Sequence, residues 1–275
     1  MSPLIDAHEL QALMREGPVR VVDAGWRLDG TDTRALFEDA HIPGAVFFDL
    51  EAVSDQTSPL PHTLPGPVQF GQAMGELGLS ESDRIFVYEA GPMFAAPRAW
   101  WMLRTFGATR VQVLNGGLDA WIRAGGHTES GPSDPLPTRF EARLDRDAVA
   151  DIESVRRALA DGNTPVLDAR GAVRFRGESD EPRPGVRPGH MPGARNLPYA
   201  ALVDEAGRLR ERAELEAAFM ARGLDDTAVP ITTCGSGVTA AILVLALTVL
   251  GRPARLYDGS WAEWGSRTDT PIQTG

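Results

Sequence analysis

Two kinds of apolar pattern alternate along this chain. Short runs rich in β-branched and aliphatic residues predict strands over 19–23, 84–88 and 111–114, and again over 165–168, 229–233 and 254–257. Between them, apolar positions recur every three to four residues, the helical spacing, near 68–77, 96–106 and 118–124, then near 213–222, 238–250 and 261–264. Strands alternating with helices through short connections imply an α/β fold with parallel strands and helices on both faces of each sheet. In such sheets ligands bind beyond the carboxyl ends of the strands.

The pattern is written twice. Val21-Val22-Asp23-Ala24 returns as Val166-Leu167-Asp168-Ala169, 145 residues on. His41-Ile42-Pro43-Gly44-Ala45 returns as His190-Met191-Pro192-Gly193-Ala194 at an offset of 149. Gly78-Leu79 matches Gly223-Leu224 at 145, and Asn115-Gly116-Gly117 with Trp121 matches Asp258-Gly259-Ser260 with Trp264 at 143. Four anchors in one order at a nearly constant offset describe a tandem duplication. The stretch ESGPSDPLP, 129–137, is too rich in proline, glycine and serine for a regular element. The expected organisation is one domain over 1–130, a linker over 131–147 and a second domain over 148–275.

Composition narrows the chemistry. A formal charge of −11 disfavours nucleic acid and anionic membrane as partners. All 27 basic residues are arginine, and without lysine there is no Schiff-base chemistry and no phosphate-loop GK[ST] signature. The N-terminal residues do not read as a signal peptide, and the longest apolar stretch, 240–250, is far short of the roughly 20 residues of a membrane span. A single cysteine forms no internal disulfide. The expectation is a cytoplasmic protein. Histidines are scattered and the cysteine stands alone, so no metal site is expected, and no cofactor.

That cysteine, Cys234, follows the strand over 229–233 and opens the loop Cys234-Gly235-Ser236-Gly237-Val238-Thr239, which feeds an apolar helix. Two glycines let the backbone curl so that successive N–H groups converge, and converging donors at a helix N-terminus stabilise a thiolate. A lone cysteine is more often a small buried apolar group; its position and flanking glycines favour the nucleophile. In the first copy Glu89 stands at the cysteine position, and its loop Ala90-Gly91-Pro92-Met93 does not read as a similar cradle. Copy one is therefore expected to be non-catalytic.

These residues resemble the tandem-domain rhodanese sulfurtransferases from about residue 6 to residue 264: HIPGA and HMPGA, NGG…W and DGS…W, and cysteine only in the second copy. The loop is similar to that of the 3-mercaptopyruvate branch. Thiosulfate-specific relatives place basic residues after the cysteine, where this chain has Gly235 and Ser236. By the same resemblance Arg174 and Arg183 are the substrate arginines, and guanidinium suits a carboxylate because it binds it bidentately. A Ser–His–Asp assembly proposed for that branch maps to Ser236, His41 and Asp32. His190 fills the slot of His41 in the second copy, so a structural role for this histidine stays open beside the catalytic one.

The resemblance implies transfer of sulfur from a small-molecule donor, 3-mercaptopyruvate, through a Cys234 persulfide to cyanide or a thiol acceptor such as thioredoxin or a low-molecular-weight thiol, with release of pyruvate. Three alternatives stand beside it: a thiosulfate sulfurtransferase, a non-catalytic binding module, and a cysteine phosphatase. The last needs an arginine six positions after the cysteine, where this chain has Ala240.

Overall fold

The structure, a computed structural model, describes residues 2–225 and 227–275. Its contacts divide into two compact units. The first runs to Gln56, resumes over Leu64–Asp145 and takes in Asp204–Leu209; the second comprises Thr57–Thr63, Arg146–Val203 and Arg210–Gly275.

Unit one is built from β1 (Leu4–Ile5), α1 (Ala7–Glu16), β2 (Arg20–Asp23), α2 (Thr33–Asp39), β3 (Ala45–Phe47), α3 (Leu50–Val53), α4 (Pro67–Glu76), β4 (Ile85–Tyr88), α5 (Ala96–Thr105), β5 (Val111–Leu114) and α6 (Gly117–Arg123). Its sheet has the order β1-β5-β4-β2-β3 with every pairing parallel, Val22 lying opposite both Val46 and Val87. β2 leads through α2 to β3 on one side, and β4 leads through α5 to β5 on the other. Right-handed crossovers in opposite directions place helices on opposite faces. The crevice between the carboxyl ends of β2 and β4 is therefore the switch point where an α/β sheet binds its ligand.

Unit two repeats this plan with β6 (Val149–Ala150), α7 (Ile152–Asp161), β7 (Val166–Asp168), α8 (Ala172–Phe175), β8 (Arg195–Asn196), α9 (Arg212–Met220), β9 (Ile231–Thr233), α10 (Ala240–Val249), β10 (Arg255–Tyr257) and α11 (Ser260–Ser266). Its sheet order is β6-β10-β9-β7-β8, again parallel. The switch point falls between β7 and β9. α10 is apolar on all sides, and every residue from Ala240 to Leu247 is buried, as a helix without a polar face must be.

The expected central strands and helices are present within two residues of their predicted ends. The pattern did not disclose β1, β3, β6 and β8, each only two or three residues long. Residues 131–147, expected to link the copies, run in part along unit one. Thr138 N–H donates to Gly75 O at 2.9 Å, Arg143 N–H to Phe106 O at 2.9 Å, and Phe140 packs edge-on against Phe70. A side chain on Gly71 or Gly75 would stand 2.8 or 2.6 Å from the carbonyls of Phe140 and Thr138, so α4 needs glycine there for the strand-like segment to lie close.

The two motif histidines do the same work in their own units. His41 Nδ1 lies 2.7 Å from Phe37 O with the rings stacked at 4.0 Å; His190 Nδ1 lies 2.8 Å from Phe175 O with the rings stacked at 3.9 Å. Each histidine also exchanges a pair of backbone hydrogen bonds with a later segment, His41 with Glu129 and His190 with Gln273. Among the described residues no helix is long and apolar enough to cross a membrane.

Candidate active site

Cys234 leaves the carboxyl end of β9 at the switch point of unit two and is buried. Its loop is fixed from α11. Cys234 N–H donates to Ser260 Oγ at 3.3 Å, Trp261 N–H to Cys234 O at 3.0 Å, and Ala262 N–H to Gly235 O at 2.8 Å. Ser260 keeps a left-handed backbone (φ 49°) while its hydroxyl donates to Tyr257 O at 2.8 Å. The other end of the loop runs into α10, with Gly237 turning the chain at φ 80°. Ser236, Val238 and Thr239 are buried, and Gly235 is half-buried.

Ser236 Oγ lies 2.8 Å from Nδ1 of His62, and both side chains are at most 5% exposed. His62 comes from the short Thr57–Thr63 segment of unit two and has a left-handed backbone, φ 60°. Outside glycine that conformation costs about 1–2 kcal/mol. Such strain persists where the surroundings hold it. The histidine that meets Ser236 is His62 and not His41, to which the motif in sequence points. A signal for it was nonetheless available: His41 has a counterpart in the second copy, whereas no histidine stands at 207–211, the positions repeating His62. Asp32, grouped with His41 from sequence, is the N-cap of α2, where its Oδ1 accepts from Ala35 N–H at 3.0 Å.

The arginines follow β7. Arg174, on α8, stands beside the loop: its Nη2 is 3.2 Å from the point a Cβ on Gly235 would occupy. Any residue but glycine at 235 would press on that guanidinium. Arg183 lies half-buried on the connection between α8 and β8. Two groups that sequence did not assign complete this corner, Arg170 and Glu181. Arg170 is fully buried over the Trp261 ring and donates to both Asp168 oxygens and to Glu181. Burial works against its charge, but the neighbouring Asp168 and Glu181 more than offset this and hold its protonation above the ordinary range.

The corresponding loop of unit one corrects the sequence reading. It is a cradle, and Glu89 fills it. One carboxylate oxygen accepts from the N–H groups of Phe94 (2.6 Å), Ala95 (3.0 Å) and Ala96 (3.0 Å) at the head of α5, and the other from Arg27 Nη1 at 2.6 Å. Burial nevertheless pushes the Glu89 carboxyl above its usual range, against the pull of Arg27 and these N–H groups. Leu118 N–H donates to Glu89 O as Trp261 N–H does to Cys234 O. The first copy thus displays a carboxyl group held by converging N–H donors at the position where the second has sulfur. Asp23, at the end of β2, lacks the arginine that serves Asp168, since Gly25 stands where Arg170 does. Burial pushes its carboxyl up to about 7, opposed by the Gly25 N–H and the Tyr88 hydroxyl.

Among the described residues no group of three or more histidine, cysteine or acidic side chains is placed to hold a metal ion.

The site thus joins a thiol at a sheet switch point, a loop serine hydrogen-bonded to His62 of the Thr57–Thr63 segment, and an arginine at the loop's edge. The rhodanese-like domain model matches residues 6–124 and 151–267. The 3-mercaptopyruvate sulfurtransferase of Escherichia coli (strain K12) is 46% identical over 259 residues, which are 93% of this chain and 92% of that one. The human 3-mercaptopyruvate sulfurtransferase is 39% identical over 95% of this chain and 90% of its own length, and the chicken thiosulfate sulfurtransferase 37% over 96% and 93%. The crystal structure of the Escherichia coli 3-mercaptopyruvate enzyme SseA superposes with a TM-score of 0.87 at 42% identity, covering 95% of this chain and 99% of that one. The chain belongs to the rhodanese family, as a tandem of two rhodanese-like domains whose second copy carries the single cysteine.

Proposed function

We propose that this protein is a 3-mercaptopyruvate sulfurtransferase with Cys234 as its sulfur carrier. Relatives of similar identity carry both donor names, so the choice of donor rests on the site. The observation that carries it is the loop's own composition: Gly235 and Ser236 bring no charge, and the guanidinium of Arg174 stands at the loop's edge and not in it. Thiosulfate, a compact dianion, needs positive charge at the attacked sulfur. Mercaptopyruvate has its charge on a carboxylate two carbons away, within the reach of an arginine beside the loop.

In the first half-reaction the Cys234 thiolate attacks the donor sulfur. The carbon–sulfur bond breaks, its electron pair passes into pyruvate enolate, and a proton delivered to carbon gives pyruvate. Arg174 and Arg183 hold the carboxylate and carbonyl. Ser236, hydrogen-bonded to His62, supplies that proton, and the loop N–H groups stabilise the sulfur anion as those of Phe94, Ala95 and Ala96 stabilise Glu89. His62 takes the place that the resemblance gave to His41, and Asp32 is left to its helix cap. In the second half-reaction the outer persulfide sulfur passes to cyanide or to a thiol such as thioredoxin or a low-molecular-weight thiol, and the Cys234 thiolate is restored. The site is in the second domain, 148–275, completed by the Thr57–Thr63 segment, and unit one is non-catalytic. A reduced, cytoplasmic setting suits a lone persulfide-forming thiol.

Steady-state rates with the two donors side by side test this. Catalytic efficiency with mercaptopyruvate is expected to exceed that with thiosulfate by about tenfold or more, the equivalent of about 1.4 kcal/mol. A preference for thiosulfate at saturating acceptor overturns the donor assignment.

A further inference from the structure

Arg174 has a long side chain, a quarter exposed, and such a side chain samples several rotamers unless something holds it. Here Glu181 holds it. Oε2 accepts from Arg174 Nη2 at 2.5 Å and Oε1 from Nε at 3.4 Å. Glu181 is itself fixed: its side chain is 3% exposed, and Oε1 also accepts from Arg170 Nη1 at 2.8 Å. Arg170 is anchored in turn by Asp168 through Nε and Nη2, by Gly189 O at 2.8 Å, and by the face of Trp261 at 4.3 Å. Asp168, Arg170, Glu181 and Arg174 form a chain of alternating charge from the end of β7 to the edge of the cysteine loop, and only its last member reaches solvent.

The plainer account makes Glu181 a counter-ion for Arg170. Arg170 already has one in Asp168, which accepts through both oxygens, so neutralising it does not require a second carboxylate. What Glu181 adds is the contact to Arg174. It takes the side edge of that guanidinium, Nε and Nη2, and leaves the end edge, Nη1 with the second N–H of Nη2, as a bidentate fork. In unit one Gly25 replaces Arg170, so the chain of charges has no anchor in the copy that has no thiol.

We infer that Glu181 is a positioning residue for the donor's carboxylate, fixing Arg174 so that its free edge meets the donor beside Gly235. The inference rests on the proposed role of Arg174. A buried ion network contributes little net stability when intact, so its value here is orientation, and its loss should appear in donor binding.

The test separates the half-reactions in the full-length protein. Persulfide formation is followed by intact mass, first with 3-mercaptopyruvate and then with inorganic polysulfide, which has no carboxylate. Discharge to cyanide is measured on polysulfide-loaded protein. Glu181→Gln is expected to raise the KM for mercaptopyruvate about tenfold or more, while loading by polysulfide and discharge to cyanide stay within about threefold of wild type. Glu181→Asp, which keeps the charge, is expected to recover part of the loss. An unchanged KM overturns the inference, and so does an equal fall in all three rates, which marks a merely structural role. If Glu181→Gln does not fold, Glu181→Asp carries the test, and it must show the same split in smaller measure. Arg174→Ala distinguishes the two levels: a raised KM there with none in the Glu181 variants sinks the Glu181 inference alone, whereas no change in Arg174→Ala sinks the donor reading with it.

Discussion

Replacing His62 by asparagine separates the two things this side chain does. Its Nδ1 stands 2.8 Å from Ser236 Oγ in a buried setting, so the contact both orients the hydroxyl and can restore the proton that Ser236 gives to the enolate. An asparagine amide reaches about as far as imidazole Nδ1 and still hydrogen-bonds Ser236, but it carries no proton that moves at neutral pH. The structural cost is the lost ring packing, about 1–2 kcal/mol. Against it, asparagine tolerates the left-handed backbone of residue 62 well, recovering some tenths of that. Net stability should therefore fall by about 0.5–1.5 kcal/mol. The chemical cost is larger: a positioned general acid contributes about 10²–10⁴-fold, or about 3–5 kcal/mol of barrier. The assay couples pyruvate release to NADH oxidation by lactate dehydrogenase at fixed thiol acceptor, with urea unfolding run in parallel. His62→Asn is expected to lose about 100-fold or more in kcat/KM with little change in unfolding midpoint. Ser236→Ala should match it, and the double variant should fall little further than the deeper single, because the two act as one unit. His41→Asn should do the reverse, losing stability with the Phe37 contacts while the folded enzyme keeps its efficiency. Wild-type efficiency in His62→Asn, or an equal loss in His41→Asn, would refute the assignment.

Arg174→Ala and Arg183→Ala are each expected to cost about 1.5–3 kcal/mol in kcat/KM with mercaptopyruvate, by removing a charge-assisted pair; if both keep wild-type efficiency, the carboxylate is held elsewhere. Asp23 gives a pH signature. Its folded carboxyl titrates at about 7 against 3.8 for an ordinary aspartate, so between those values the folded chain keeps a proton that the unfolded chain has lost. Its contribution to stability is fully present below about pH 4 and declines as pH rises to about 7, by on the order of 4 kcal/mol at most. Asp23→Asn should flatten that slope in urea unfolding at pH 5 and pH 8 and be the more stable protein at pH 8. An unchanged slope would show that Asp23 titrates normally.

The sequence made some of this legible and hid the rest for physical reasons. Repetition was visible because the turn and loop motifs, HIPGA with its histidine and NGG or DGS with its tryptophan, need particular residue types twice. The central strands were visible because both faces are covered, which makes their middles predominantly apolar and β-branched. β1, β6 and β8 have only two residues each, too few for any period to register. The cradle of unit one was missed because no Gly-Ser-Gly marks it: Gly91 alone turns the chain, and ordinary residues, Phe94, Ala95 and Ala96, supply the N–H groups. Arg27, the cation that completes it, lies 62 residues from Glu89. His62 was hidden likewise, because its partner Ser236 is 174 residues away and only folding joins them.

The central claim is that Cys234 carries the sulfur, and intact-mass measurement tests it directly. After treatment with 3-mercaptopyruvate the protein is expected to gain one sulfur atom, which cyanide or a reductant removes, and Cys234→Ser should show neither the gain nor turnover. No gain in the wild-type protein under turnover conditions, or substantial turnover by Cys234→Ser, would contradict the account.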